Sequence, residues 1–83
     1  MKLNQYQKWN LEMHRNLIER YGEKYWERVP IKVFHNLFRC VAENHSGGKF
    51  SRDVNCTVAH WYLKQGQPVI NIRCWECQQN NIY

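Results

Sequence analysis

The chain has 83 residues, 43% of them hydrophobic and 14% aromatic, with a formal net charge of +5 at pH 7. This length allows one domain, residues 1–83, with a single core of marginal stability, and the many core-forming residues exclude an intrinsically disordered chain. The positive charge favours a polyanion or an acidic protein surface as the partner.

At the start of the chain, residues 1–6 lack the apolar run of a secretory signal. No later stretch approaches the roughly 20 consecutive apolar residues of a membrane span. We therefore expect a cytoplasmic protein with no membrane contact. Cytoplasmic thiols are kept reduced, so we do not expect the four cysteines to form two disulfides.

Apolar residues at spacings of three and four predict an amphipathic helix over about residues 3–21, which Gly22 would end. Its predicted buried stripe is Tyr6, Trp9, Met13, Leu17 and Tyr21. Residues 23–29 are typical of a turn or loop, ended by Pro30. Helical spacing resumes after this proline and predicts a second helix to about residue 44, packed against the first.

The segment from His45 to Asp53 is a loop in which Gly47 and Gly48 free the backbone. Two interpretations stay open for it. With Lys49, its backbone amides could bind a phosphate, but Phe50 stands where a P-loop has Ser or Thr. The simpler interpretation is a solvated connector.

Two interpretations also fit residues 54–77. Alternating apolar residues favour a β-hairpin with strands 57–63 and 68–75, which buries Trp61, Ile70 and Ile72 and exposes Tyr62 and Arg73. Alternatively, Asp53 caps a helix that Gly66 ends. We favour the hairpin, because both strands agree on one register. The predicted fold is therefore α+β, two N-terminal helices followed by a C-terminal β-hairpin.

The pair Cys74-x2-Cys77 has the spacing of a zinc knuckle, in which two thiolates reach one tetrahedral ion. On the helical interpretation Cys56 and His60 lie one turn apart and complete the ligand set. On the hairpin interpretation Cys56 lies close to the pair, and Cys40 or His45 replaces His60. We expect a stabilising zinc ion, while buried inert thiols remain the alternative.

The first of these ligand sets resembles the His-x3-His and Cys-x2-Cys module at the N-terminus of integrases, with Cys56 in place of the first histidine. The resemblance covers four positions, and the spacer between the two pairs is shorter than in that family. No family membership follows from it.

No arrangement of His, Ser, Cys or acidic residues suits catalysis, so we predict a protein that is not an enzyme. Cations interleaved with aromatic residues favour binding to nucleic acid or to a nucleic-acid-bound complex. The predicted contact residues are Lys49, Arg52, Tyr62, Lys64, Arg73 and Trp75. The alternative is a small regulator or inhibitor of viral or mobile-element origin, which binds a host protein through exposed aromatic and arginine side chains.

Overall fold

Helix α1 (Gln5–Tyr21) is the longest element in the computed structural model, which describes residues 2–45 and 52–83. Its start is fixed by Asn4, whose side-chain oxygen accepts hydrogen bonds from the backbone N–H groups of Tyr6 (3.0 Å) and Gln7 (2.8 Å). The Gln7 side chain returns a bond to the Asn4 N–H at 2.9 Å, which completes a capping box. Gly22 ends the helix at φ +93°, where a side chain would be strained. The first predicted helix is confirmed.

The buried face of α1 differs from the predicted stripe. Leu17 is buried and Met13 is half-buried, but Trp9 and Tyr21 are exposed. Asn10 is completely buried instead. A hydropathy pattern could not indicate this, since the burial of Asn10 depends on hydrogen bonds to distant segments.

The predicted second helix is largely absent. The chain forms a 3₁₀ helix at Tyr25–Glu27, and a second short 3₁₀ helix, Ile31–Phe34, follows Pro30 in place of the predicted α-helix. The chain then turns at Asn36, whose φ is +65°, and continues without helix to residue 45. The backbone of this segment bonds to other parts of the chain: Cys40 N–H donates to Arg52 O (2.6 Å) and Val41 N–H to Ile72 O (2.9 Å). These tertiary bonds replace the helical ones.

Helix α2 (Cys56–Lys64) occupies the position of the first predicted hairpin strand. Asn55, rather than Asp53, is its cap and accepts from Val58 N–H at 2.9 Å. The chain leaves the helix through Gly66 at φ +74°. Tyr62 is 5% exposed and Trp61 is 49% exposed, the reverse of the hairpin register.

The second predicted strand is replaced by a 3₁₀ helix at Val69–Asn71 and by helix α3 (Trp75–Gln79). The described residues contain no β-strand, only an isolated antiparallel bridge between Arg39 and Asp53, whose side chains also form an ion pair at 2.9 Å. The α+β prediction with a C-terminal hairpin is therefore wrong, and the fold is mostly helical.

Helix α1 packs mainly on the Val69–Asn71 turn, and α2 packs on the Ile31–Phe34 turn. Between them lies one hydrophobic cluster of buried residues: Leu17, Tyr25, Val29, Phe34, Phe38, Cys40, Ala42, Val54, Ala59, Tyr62, Leu63, Val69, Ile72 and Cys77. Two of the four cysteines belong to this core. Within residues 2–45 and 52–83, no helix has the length and apolar character needed to cross a bilayer.

Candidate functional site

Cys74 and Cys77 lie at the start of α3. Cys74 is the residue that precedes the first helical turn, and Cys77 lies in that turn. The Cys74 carbonyl accepts from Gln78 N–H at 3.0 Å, so the two cysteines share one rigid turn. Two residues between them bring both sulfur atoms to the same side of the turn, which is the geometry that the sequence spacing predicts.

Cys40 and His45 come from the irregular segment after Phe38. The backbone bond from Cys40 to Arg52 fixes one end of this segment, and the bond from Val41 to Ile72 joins it to the segment that leads into Cys74. At its other end, Asn44 N–H donates to the Tyr83 carbonyl at 3.2 Å. The two segments are thus tied together on either side of the cysteines.

The donor atoms of Cys40, His45, Cys74 and Cys77 all lie within 4.8 Å of one another. Cys40 Sγ is 3.7 Å from Cys77 Sγ, and His45 Nδ1 is 3.6 Å from Cys74 Sγ and 3.4 Å from Cys77 Sγ. A tetrahedral zinc ion, with Zn–S bonds of about 2.3 Å and Zn–N bonds of about 2.0 Å, separates two sulfurs by about 3.8 Å and a sulfur and a nitrogen by about 3.5 Å. These three separations match the edges of such a tetrahedron, and the four donor atoms are close enough together that they could hold one metal ion.

The cluster is partly closed to solvent. Cys40 and Cys77 are buried, and His45 and Cys74 are half-buried. None of the four cysteines, all of which lie in the described part of the chain, forms a disulfide. Burial raises the pKa of the Cys74 thiol to about 12, and burial also raises the pKa of Cys40. A bound cation would reverse this preference, because it stabilises thiolates and displaces their protons.

Backbone N–H groups support the charged form of these sulfurs. Cys40 accepts hydrogen bonds from the backbones of Cys74 and Ala42, and Cys74 accepts one from the backbone of Cys77. Each bond lowers the pKa of the thiol that accepts it, but burial has the larger effect and raises the pKa. Such contacts around metal ligands orient them and offset the charge of the thiolates. The cluster therefore offers three thiols and one imidazole to a metal ion, and nearby backbone amides donate hydrogen bonds to two of the sulfur atoms.

The structure does not bring Cys56 or His60 into this cluster. Both lie on α2, one turn apart as the helical interpretation requires. His60 lies instead against the core, with its ring centre 6.1 Å from that of Phe34. Cys56 packs as a half-buried side chain against the hydrophobic cluster. The residues that lie beside Cys74 and Cys77 are Cys40 and His45, the two residues that the sequence offered as alternative ligands.

Two of the predicted nucleic-acid contacts are arginines engaged within the fold. Arg52 donates to the carbonyls of Cys40 and Ala42, and its guanidinium carbon lies 4.0 Å from the centre of the Tyr6 ring. Arg73 donates to Ile82 O at 2.8 Å and lies 4.2 Å from the centre of the Tyr83 ring. These side chains stabilise the segments around the cluster.

The other predicted contacts differ in exposure. Tyr62 is buried, and its hydroxyl accepts from Arg73 N–H at 3.3 Å. Lys64 is exposed at the end of α2, and Trp75 is 58% exposed at the start of α3. Lys49 lies outside the described residues, as do Gly47 and Gly48 of the possible phosphate loop.

An open groove of about 710 Å³ adjoins the cluster. Trp61 and Tyr62 of α2 and the C-terminal Tyr83 contribute rings to its lining, and Arg73 and Glu43 contribute opposite charges. The other polar side chains of the lining are amides. The lining residues are Asn4, Gln7, Val41, Ala42, Glu43, Trp61, Tyr62, Gln67, Ile70, Asn71, Arg73, Gln78 and Tyr83. Arg73 and Gln78 each neighbour a cysteine of the cluster in sequence, so the groove and the cluster share structural elements.

No family model matches the chain, and neither the curated proteins nor the solved structures include a match to it. Inferences about function therefore rest on the residues and geometry of this chain.

Asn10 is the residue at this site that sequence reasoning missed. Its amide donates to Arg39 O (2.9 Å) and Val69 O (3.0 Å), and its side-chain oxygen accepts from Arg39 N–H (2.8 Å). It thereby fixes the residue directly before Cys40. No sequence signal marks it. The Cys40-x4-His45 spacing, in contrast, was visible and resembles that of paired zinc ligands.

Proposed function

We propose that this chain is a small, non-catalytic module that a structural zinc ion stabilises and that binds nucleic acid. The observation that carries the zinc assignment is the cluster of three thiols and one imidazole, with donor separations of 3.4–3.7 Å where they are closest. Thiolate and imidazole donors in a tetrahedron favour zinc, whereas magnesium and calcium require oxygen ligands.

A structural rather than catalytic ion is supported by the number of ligands. Catalytic zinc sites use three protein ligands and keep one position for water or substrate. Here four side chains are available for one ion, and two of them are buried. An 83-residue chain also gains from such an ion, because a core of this size gives only marginal stability.

The nucleic-acid part of the proposal rests on charge and exposed aromatic rings. The net charge is +5, and Trp61, Trp75 and Tyr83 are all exposed around α2, α3 and the C-terminus. Cations bind phosphates and rings stack on bases, so this combination suits a polyanion that carries flat heterocycles. A host-protein partner, as in the alternative interpretation, would instead depend on a few aromatic anchors.

The test is a fluorescence titration of the zinc-loaded protein with labelled single-stranded and double-stranded DNA and RNA at two salt concentrations. We expect binding that weakens steeply with salt, with log K falling by about 0.7–0.9 per phosphate contacted for each unit of log salt. Lys64→Glu should weaken it, because the replacement reverses an exposed positive charge at the end of α2. Absence of binding at low salt, together with a nuclease-resistant protein partner in a pull-down, would overturn the nucleic-acid assignment.

Charge reversal at Arg52 or Arg73 is unsuitable for this test. Arg52 and Arg73 donate to backbone carbonyls and lie over tyrosine rings. Acidic replacements would therefore disturb the fold before they reported on binding.

A further inference from the structure

The groove beside the cluster is lined both by exposed aromatic rings and by polar side chains. Trp61 and Tyr83 are 49% and 70% exposed, although large rings of this kind usually contribute to a core. The lining also includes the side-chain amides of Gln67, Asn71 and Gln78. An amide side chain both donates and accepts hydrogen bonds, so it can pair with the edges of many planar heterocycles.

We propose that this groove binds an unpaired stretch of nucleic acid, with bases stacked on Trp61 and Tyr83. The inference rests on the proposed function and names its site. Only unpaired bases can stack on side-chain rings, and every base offers a π-face, so such a site takes single strands with little sequence preference. Amides along the groove contact base edges, and Glu43 can accept from an exocyclic amino group.

Arg73 supplies the positive charge of the groove. Its Nη1 atom donates to Ile82 O, and its guanidinium group lies 4.2 Å from the centre of the Tyr83 ring. A guanidinium group has five N–H donors, and the hydrogen bond to Ile82 O does not use all of them. The remaining donors can bind a phosphate group beside Tyr83. Arg73 therefore both positions the stacking ring and meets the backbone of the strand.

The Tyr83 side of the groove is attached to the metal cluster. Ile82 N–H donates to the carbonyl of Cys77 at 2.8 Å, and Tyr83 O accepts from the backbone of Asn44, which precedes His45. One proposed metal ligand, Cys77, and the residue next to another, Asn44, thus hold the C-terminal segment. Removal of the ion should loosen this wall and weaken binding of the strand.

The experiment compares variants of the zinc-loaded chain in a titration with a fluorescein-labelled single-stranded oligothymidylate. Trp61→Ala and Tyr83→Ala should each weaken binding by about 5-fold or more, which corresponds to about 1–3 kcal/mol for a stacked base. Trp61→Phe should recover part of the affinity. Tyr21→Ala is the matched control, because this tyrosine is also exposed, lies at the end of α1 and does not line the groove. Trp75→Ala tests the other exposed ring near the cluster, which also lies outside the groove.

A second pair of variants covers the case in which removal of a ring disturbs folding. Gln67→Glu places a negative charge in the groove, and Gln65→Glu places the same charge two residues away, outside the lining. Both glutamines are exposed. Gln67→Glu should weaken binding several-fold more than Gln65→Glu, because only Gln67 lines the groove and the replacement removes its amide donors there.

The outcomes separate the two proposals. Wild-type binding that is lost in the groove variants and retained in Tyr21→Ala and Gln65→Glu supports the groove. Wild-type binding that is equally strong in every groove variant, or that depends on Trp75 alone, overturns the groove and leaves nucleic-acid binding in place. If the wild type does not bind the oligonucleotide at low salt, both proposals are wrong.

Discussion

Replacement of Asn10 should damage both the fold and the cluster of Cys40, His45, Cys74 and Cys77. Asn10→Ala removes three hydrogen bonds of a completely buried side chain, two of which hold the backbone of Arg39 and one the carbonyl of Val69. At about 0.5–1.5 kcal/mol for each bond, the loss is about 1.5–4.5 kcal/mol. A domain of 83 residues has a free energy of unfolding of about 4–12 kcal/mol, so this loss is a large fraction of the total.

The assay is urea denaturation at one saturating zinc concentration, because zinc that binds only the folded chain shifts the midpoint. Asn16→Ala is the matched control: it lies on the same helix and is exposed, and we expect a change within about 0.5 kcal/mol. Zinc affinity should also fall in Asn10→Ala, since the segment that carries Cys40 loses its anchor. A stability within about 0.5 kcal/mol of wild type would refute the reasoning.

Two further predictions concern α2 and α1. Tyr62→Ala should lower the free energy of unfolding by about 3–5 kcal/mol, whereas Trp61→Ala should lower it by less than about 1.5 kcal/mol, because Tyr62 is buried and Trp61 is half exposed. Denaturation midpoints in the opposite order would favour the hairpin register. Burial lowers the pKa of His14, whose Nδ1 lies 2.8 Å from the Tyr25 hydroxyl, below 6.5. The neutral ring is thus favoured in the folded state, so its stabilising contribution is complete above pH 6.5 and is lost as the pH falls towards the lowered pKa. An NMR titration of the His14 ring should give a midpoint below 6.5, and a midpoint at or above 6.5 would contradict this environment.

Helix α1 could be predicted because its signals are local. Asn4 and Gln7 cap it, Gly22 ends it, and each of these residues acts within one turn of its own position. The Cys74-x2-Cys77 pair is equally local. Both features therefore follow from sequence spacing alone.

Residues 31–44 were mispredicted because their apolar spacing fits a helix while their backbone groups bond elsewhere. Bonds from Cys40 to Arg52 and from Val41 to Ile72 span 12 and 31 residues, and no local pattern encodes them. In the 54–66 segment, period-two and helical patterns overlapped, and the Asn55 cap with Gly66 decided the outcome. The preference for the hairpin gave too little weight to these terminal signals.

The set of candidate metal ligands was only partly predicted, again because it depends on contacts between distant segments. The sequence identified all four residues of the cluster as candidates, but it linked Cys40 and His45 to a hairpin and retained Cys56 beside them. The structure combines a helical α2 with Cys40 and His45, because the irregular segment 35–45 lies against α3 rather than forming a helix of its own. Which ligands meet depends on tertiary contacts, not on the secondary structure of the segment that contains Cys56.

The most direct test of the metal centre is the zinc content of the protein purified under reducing conditions, measured by elemental analysis for the wild type, Cys77→Ser and Cys56→Ser. We predict about one zinc per chain in the wild type and in Cys56→Ser, and loss of zinc to a chelator at a much lower concentration in Cys77→Ser. A wild type without zinc, or a Cys56→Ser variant that loses zinc as readily as Cys77→Ser, would contradict the ligand set of Cys40, His45, Cys74 and Cys77.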